Sequence, residues 1–307
     1  MMFESLLQSD LWAEFKRESH WRSQRFGSTL SLEREVSFGF SVRYFPEMPF
    51  NDDTLELVRR LSVRSSGKRI FSRFEFFELW APEKAAAVLD LGLIKSFEEV
   101  QPEYRQWVFL DQSTDKLLRQ MKPKGRYNIN LALRHRLKVE FGVNKNSISA
   151  LTELYRQTSL RQRFSGRSPS YLNSLSRKLA AENLGEIIVV RKGDKPLSAI
   201  LVSHYGSIIS YLYGGSSSEG RHLMAPYLAH WEAMRWAKRR KAIIYDLLAI
   251  APPDAANHPH RGLTRFKTQF GGRSVRLLGS WDLVESPFWY NIYRFLQKRR
   301  RGRNNDV

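Results

Sequence analysis

The segment from Gly185 to Gly215, GEIIVVRKGDKPLSAILVSHYGSIISYLYGG, constrains this chain more than any other. Three apolar, β-branched runs are separated by two short turns, Gly193-Asp194 and Tyr205-Gly206. Runs of this kind, joined by short turns carrying Gly, predict an antiparallel meander. A sheet seeded there must be covered by helices, because its apolar face needs a partner layer. The neighbouring sequence supplies them. Ile148–Arg161 and Ser168–Ala181 precede the meander as amphipathic helices, the second with Pro169 in its first turn. Ala225–Arg240 follows as a helix and Ala242–Leu248 as a buried strand. Leu263–Phe270 is short and helical, Val275–Asp282 a strand, and Pro287–Arg300 a closing helix.

The first half is also mixed. Ser5 to Arg25 reads as an amphipathic helix carrying Trp12, Phe15 and Trp21. Val36–Tyr44 alternates as a strand, Asn51–Ser62 is a helix capped by Asn51 or Asp52, and Arg69–Leu79 is strand-like. Glu83–Leu93 is helical and Gln106–Leu110 a strand. Ser113 or Thr114 caps a helix that Lys122-Pro123-Lys124-Gly125 interrupts, and a second helix begins near Arg126. Lys138–Val143 is a short strand, and a new unit opens near Ser147. At 307 residues the chain is long for one core and suits two domains. No sequence repeat relates the halves.

Composition narrows the chemistry. The sequence has no cysteine, which excludes disulfides, thiolate catalysis and Cys-bound zinc. The formal charge of +19 attracts polyanions: nucleic acid, nucleotide phosphates or anionic headgroups. The start, MMFESLLQSDLWAEFK, lacks the basic and apolar regions of a signal peptide. No apolar run approaches the roughly 18–20 residues that span a bilayer. The expectation is a soluble, cytoplasmic protein.

The element order from Ile148 onward is that of an acyltransferase domain of the GNAT type. Several segments then carry a more specific likeness: Gln8-Ser9-Asp10-Leu11-Trp12-Ala13-Glu14-Phe15-Lys16; Lys122-Pro123-Lys124-Gly125-Arg126-Tyr127-Asn128-Ile129; Thr158, Arg161 and Phe164; Tyr211-Leu212-Tyr213-Gly214-Gly215-Ser216; Tyr245-Asp246; and Gly262-Leu263, Phe266-Lys267 and Phe270-Gly271-Gly272. Taken in order, the chain resembles the FemABX family of non-ribosomal peptidyl transferases. The resemblance implies an α/β (α+β) fold of two tandem GNAT-like domains, with mixed sheets flanked by helices. Domain one would cover 1–146 and regain the chain from about 275 to 307, and domain two would cover 147–274. Leu184 runs straight into the strand at Glu186, leaving no room for the helical arm of some members. After Tyr245-Asp246 the family's aromatic-glycine step is replaced by Leu247-Leu248-Ala249.

By the same resemblance the reaction moves an amino acid from aminoacyl-tRNA onto an amine of a peptidoglycan stem peptide, the precursor being nucleotide-linked or lipid-linked. Such an ester is already activated, so no cofactor is expected. Lys267 would neutralise charge at the reacting ester and the Phe266 carbonyl would orient the amine. Lys16, Arg161, Tyr211 and Tyr213 match precursor-binding positions. Tyr211 and Tyr213 are expected on one side of a strand, with which of them faces the site left open. The basic run Lys116–Lys138, with Lys122, Lys124 and Arg126, offers contacts to tRNA phosphates, or is simply a solvated face. Tyr127 and Ile129 are read as core. His258 and His260 flank Pro259 without an evident third metal ligand, and Asp111 and Asp246 suit cap or turn roles ahead of a place in the site. The basic end, Lys298–Arg303, would touch the inner membrane face or fray, and a monomer is expected. An acyl-CoA transferase is disfavoured because Gly214–Pro226, GGSSSEGRHLMAP, lacks the usual pyrophosphate-loop order. A non-catalytic RNA-binding module would leave the Phe266-Lys267 block without a role.

Overall fold

The computed structural model describes residues 4–37, 39–63, 67–255 and 257–305. The chain divides into two compact units, one of residues 1–103 and 276–307, the other of 104–275. Segment 104–146, which the sequence reading assigned to the first domain, lies in the second unit.

The first unit begins with a short 3-10 turn, Leu6–Gln8, then α1 (Asp10–Arg17). Ser9 caps α1 by accepting a hydrogen bond from the Trp12 N–H at 3.1 Å. The helix expected to reach Arg25 stops at Arg17, and His20 turns back with φ of 61°. A hairpin follows instead, β1 (Arg22–Phe26) and β2 (Thr29–Ser37), turned at Gly27 with φ of 59°. The aromatic spacing of Trp12, Phe15 and Trp21 had extended the helix through residues that form a strand. Next come β3 (Phe40–Met48), α2 (Asp52–Ser62), β4 (Arg69–Leu79), α3 (Pro82–Asp90) and β5 (Ile94–Lys95).

The second unit runs β6 (Tyr104–Phe109), α4 (Thr114–Gln120), α5 (Pro123–Arg134), β7 (Lys138–Phe141), α6 (Lys145–Gln162) and α7 (Pro169–Ala181). The meander follows as β8 (Gly185–Lys192), β9 (Lys195–Tyr205) and β10 (Ile208–Ser216), then α8 (Ala225–Arg239), β11 (Ile244–Ala249) and α9 (Arg261–Lys267). The predicted turns appear in the register, with Lys192 opposite Lys195 and Tyr205 opposite Ile208. The expected interruption falls at Met121-Lys122, and Pro123 opens α5 three residues before the expected start, because a missing N–H costs nothing in a first turn. β12 (Arg273–Val284) and α10 (Pro287–Asn305) close the chain.

Both units are mixed α/β sheets flanked by helices. In the first, β1-β2-β3 pair antiparallel, β3 and β4 pair parallel across α2, and β12 joins β4 antiparallel. In the second, β7-β8-β9-β10 pair antiparallel, β10 and β11 pair parallel across α8, and β6 joins β11 antiparallel. The same motif occurs twice: a meander, a helical crossover to a parallel strand, then an antiparallel neighbour. No sequence repeat announces it, because packing volume and pattern can be conserved while residues are not.

In the first unit Phe45, Phe74, Phe76 and Leu278 form the core. Its buried Arg73 binds Asp282 at 2.7 and 2.8 Å, and Tyr290 donates to the same carboxylate at 2.8 Å. In the second unit α6 lies so close to β10 that a Cβ on Gly215 would sit 2.1 Å from the Leu154 carbonyl oxygen. Gly215→Ala must therefore lift α6 off the sheet. It is expected to cost about 3 kcal/mol or more, read from urea unfolding with unchanged slope; a loss under about 1 kcal/mol would refute the contact.

Candidate active site

The site grows from an irregularity in β11. Between Asp246 and Ala249 the pairing with β6 shifts register, and Leu248 takes φ of 56°. A bulky residue seldom adopts that left-handed conformation, so something must hold it there. Asp246 does so: its Oδ1 accepts the Leu248 N–H at 2.7 Å. Its Oδ2 accepts from Arg105 Nη1 on β6 at 3.0 Å, with both side chains buried. The step read in the sequence as a departure, Leu247-Leu248-Ala249, thus keeps a conformation that glycine adopts without strain.

The bulge presents the carbonyl of Ala249, and Lys267 Nζ donates to it at 2.7 Å. Lys267 ends α9 and is only 3% exposed. Burial, with Arg105 adding to it and Asp246 opposing, pushes its pKa down to about 7. Its ammonium lies 5.7 Å from the centre of the Tyr211 ring, within cation–π range. That ring meets His230 of α8 edge-on at 4.6 Å. His230 Nδ1 and the Tyr245 hydroxyl share a hydrogen bond of 2.8 Å. Burial, together with the Lys267 charge, drives His230 to about 3 and keeps it a neutral imidazole. The Phe266 ring packs against Tyr227, His230 and Phe270 at 5.0 to 5.5 Å.

Three glycines hold this segment close. A Cβ on Gly125 of α5 would fall 2.3 Å from the Gln269 carbonyl, and one on Gly272 would fall 1.9 Å from that of Trp107. Gly271 and Gly272 also have φ of 76° and 77°. The two halves of the Lys122-to-Gly125 and Phe266-to-Gly272 pattern are therefore one contact.

The two tyrosines of β10 do not share a face. The strand bulges between them, pairing Tyr211 with Val202 and Tyr213 with Leu201, neighbours on β9. The extra residue breaks the period of two. Tyr211 turns to α8 and Lys267. Tyr213 turns to Tyr155 and Tyr171, at 5.8 and 6.0 Å between ring centres, with the Arg167 guanidinium 5.1 Å over Tyr171. Arg161 spans from α6 to the end of β10, donating to the Ser216 carbonyl, Ser216 Oγ, Ser218 Oγ and Thr158 Oγ1 at 3.0 to 3.2 Å. All four acceptors are neutral, so its charge is not cancelled there. It borders a cleft of about 650 Å³ shared with Gln157, Lys195 and Glu219.

The basic run separates into different roles. Arg126 donates to the carbonyls of Arg119 and Met121, bracing the α4–α5 turn instead of offering a fork to solvent. Lys122 and Lys124 are exposed, and Lys122 borders a cleft of about 680 Å³ with Gln106, Asp111, Gln112, Thr268 and Arg273. Ile129 is core as expected, but Tyr127 is 58% exposed on the outer side of α5. Lys16, in the other unit, lies 5.2 Å over Trp12 and 5.8 Å over Trp21. His258 Nδ1 accepts the His260 N–H, and among the described residues no group of three potential ligands converges on a metal position. Asp246 takes the expected turn role through the Leu248 N–H and is also the buried partner of Arg105. Arg105 and His230 were not singled out by sequence. Arg105 is the one charge in YRQWVFL, and His230 interrupts an apolar helix face, LAHW.

The chain is similar to known proteins in sequence and in fold. The model of the FemAB family matches residues 90–180 and 172–298. The lipid II:glycine glycyltransferase of Staphylococcus haemolyticus is 22% identical over 386 residues, covering 96% of this chain and 91% of that protein. That of Staphylococcus aureus is 21% identical over 388 residues with the same coverage. These alignments are longer than the 307 residues here, so the relatives carry inserted sequence. Among solved structures, a crystal structure of FemX matches with a TM-score of 0.80 at 18% identity over 94% of each chain. L-PGS from Bacillus licheniformis matches with a TM-score of 0.57 at 13% identity, over 91% of this chain and 88% of that one. The structural matches establish likeness of fold.

The lowered pKa of Lys267 has a thermodynamic consequence. In the unfolded chain it keeps its proton to about pH 10.5, and in the folded chain only to about 7. Burying the charge therefore destabilises the fold fully below pH 7, and this burden fades as the pH rises toward 10.5. Lys267→Met should accordingly gain on the wild type as the pH falls from 10 to about 7. Urea titrations across that range test it; a stability difference that ignores pH would show the ammonium is not buried.

Proposed function

The chain belongs to the FemAB family, and on that premise we propose that it is an aminoacyltransferase drawing on aminoacyl-tRNA and acting on the stem-peptide amine of a lipid-linked peptidoglycan precursor. The relatives' names support that acceptor, since they are called lipid II:glycine glycyltransferases. The observation that carries the reading is the buried Lys267 ammonium, fixed on a carbonyl at a strand bulge and flanked by Tyr211 and neutral His230.

The chemistry needs little more. The amine adds to the ester carbonyl, forming a C–N bond, and the carbonyl oxygen becomes an oxyanion. The ester C–O bond then breaks, the tRNA ribose oxygen leaves and takes up a proton, and the amine loses one. A charge held in a dry site stabilises the oxyanion far better than one in water. Developing negative charge beside Lys267 also draws its proton back. Phe266 is the neighbour whose carbonyl would orient the amine. Lys122 and Lys124 suit tRNA phosphates, whereas Arg126 is already engaged. Lys16 and Arg161 suit precursor phosphates. Tyr211 belongs to the reacting centre, and Tyr213 to the opposite face with Arg167. No helix among the described residues is long and apolar enough to cross a membrane. We place a monomer in the cytoplasm, meeting its acceptor at the inner membrane face.

Lys267→Met should lower single-turnover transfer by about 10²–10³-fold while leaving substrate affinity nearly unchanged. The ratio of wild-type to variant rate should be greatest below pH 7 and fall as the pH rises through it, because the ammonium is lost there. A ratio that rises with pH would make Lys267 a base instead. The assay should pair a panel of charged tRNAs with nucleotide-linked and lipid-linked acceptors, and include acetyl-CoA. Transfer from acetyl-CoA alone would overturn the reading.

Arg161→Ala should raise the KM for the precursor more than it lowers kcat, because phosphate contacts remote from the ester serve ground and transition states alike. Thermal unfolding checks that its links to Ser216 are not the cause. A fall in kcat at constant KM would move Arg161 to the reacting centre.

A further inference from the structure

The closing helix α10 has two unlike sides. Its inner side is settled: Tyr290 is buried with its hydroxyl on Asp282, Trp289 packs on Phe40, and Tyr293 packs on Phe71 and Phe97. Its outer side is apolar and uncovered. Phe288 is 68% exposed, Phe295 54% and Leu296 52%, with half-buried Ile292 between them. The spacing i, i+4, i+7, i+8 puts these four on one stripe. Ordinary surfaces scatter such residues singly and do not align them.

Charge identifies what covers the stripe. From Pro287 to Asn305 the helix carries six cations, Arg294, Lys298, Arg299, Arg300, Arg301 and Arg303, and no acidic residue. Arg294, Lys298 and Arg299 are exposed, and the Arg299 guanidinium lies 4.5 Å over the Phe295 ring. An apolar stripe beside concentrated cations is the signature of a helix that lies in the headgroup layer. The helix is not apolar enough to cross a bilayer, so it would rest on one. Two copies pressed stripe to stripe would bring their cations together. An RNA contact would use the charges and could stack bases on Phe288 and Phe295, but it leaves the aliphatic Ile292 and Leu296 of the same stripe without a role.

We propose that the outer face of α10 docks this protein on an anionic membrane surface, with Phe288, Phe295 and Leu296 entering the acyl boundary and Lys298 and Arg299 lying on the headgroups. Docking needs no turnover, so it stands or falls apart from the proposed reaction. The test is flotation of the full chain with phosphatidylcholine vesicles, with and without about a third phosphatidylglycerol. Binding is expected to the anionic vesicles only. Phe288→Ser with Phe295→Ser should reduce it roughly tenfold at constant salt, and Lys298→Glu with Arg299→Glu should abolish it. Both variants should unfold within a few degrees of the wild type, since the changed side chains meet the inner side only where the Phe288 ring edges Trp289, 5.4 Å between ring centres. Three results would overturn the proposal. One is vesicle binding unchanged by the phenylalanine pair. Another is a change in oligomeric state by sedimentation with vesicle binding intact. The third is loss of tRNA affinity with vesicle binding intact.

Discussion

A lysine ammonium cannot be taken out of water without an acceptor, and the second unit is organised around providing one. Lys267 meets the Ala249 carbonyl only because β11 bulges, and the bulge survives only because Asp246 holds the Leu248 N–H. Asp246 in turn is tolerable in the core because Arg105 neutralises it. Removing any member leaves a buried charge or a strained backbone without support. Asp246 stands against both Arg105 and Lys267, and its attraction does not make up for the burial of Lys267. That shortfall is what lowers its pKa, and a group poised near neutrality in a dry site is a functional-site signature.

The two units share an architecture but differ in how their buried charges are matched. In the first, Arg73 has both Asp282 and Glu98 as partners, and Tyr290 completes the cluster. Buried Glu75 is likewise enclosed by hydrogen bonds from Tyr44, Ser280 and the Gln101 N–H. Such networks specify a fold and leave nothing in excess. The second unit departs from that balance around Lys267, and there the backbone is also strained and the aromatic rings are gathered. Coincidence of uncompensated charge, strain and burial is what marks this cluster as the candidate site.

Close backbone approach explains the glycines better than flexibility does. Gly125, Gly271 and Gly272 lie where a single methyl group would meet a main-chain oxygen, and they bring α5 and β6 against the turn that carries Lys267. The lysine's position is therefore set by packing from three sides and not by the short helix on which it lies.

Local chemistry in the sequence determined much of this protein: the three-strand meander and its turns, the crossover helices, the caps, and the family to which the chain belongs. Period-two alternation and Gly-containing turns act over a few residues, so they can be read without a structure. The same locality explains the misreadings. Helical spacing of aromatics carried α1 through a hairpin, and α5 was begun at Arg126 although Pro123 already opens it. The paired faces of Tyr211 and Tyr213 failed because a bulge adds one residue to one strand, which only its partner's register reveals. Lys267 and Phe266 could be named from a motif, but Arg105 and His230 could not. They lie 162 and 37 residues away from Lys267 in the chain, and a buried charge is defined by what surrounds it. Desolvation, pairing and strain are properties of the packed interior, so only the tertiary structure decided that Lys267 is held out of water with its pKa brought down to about 7.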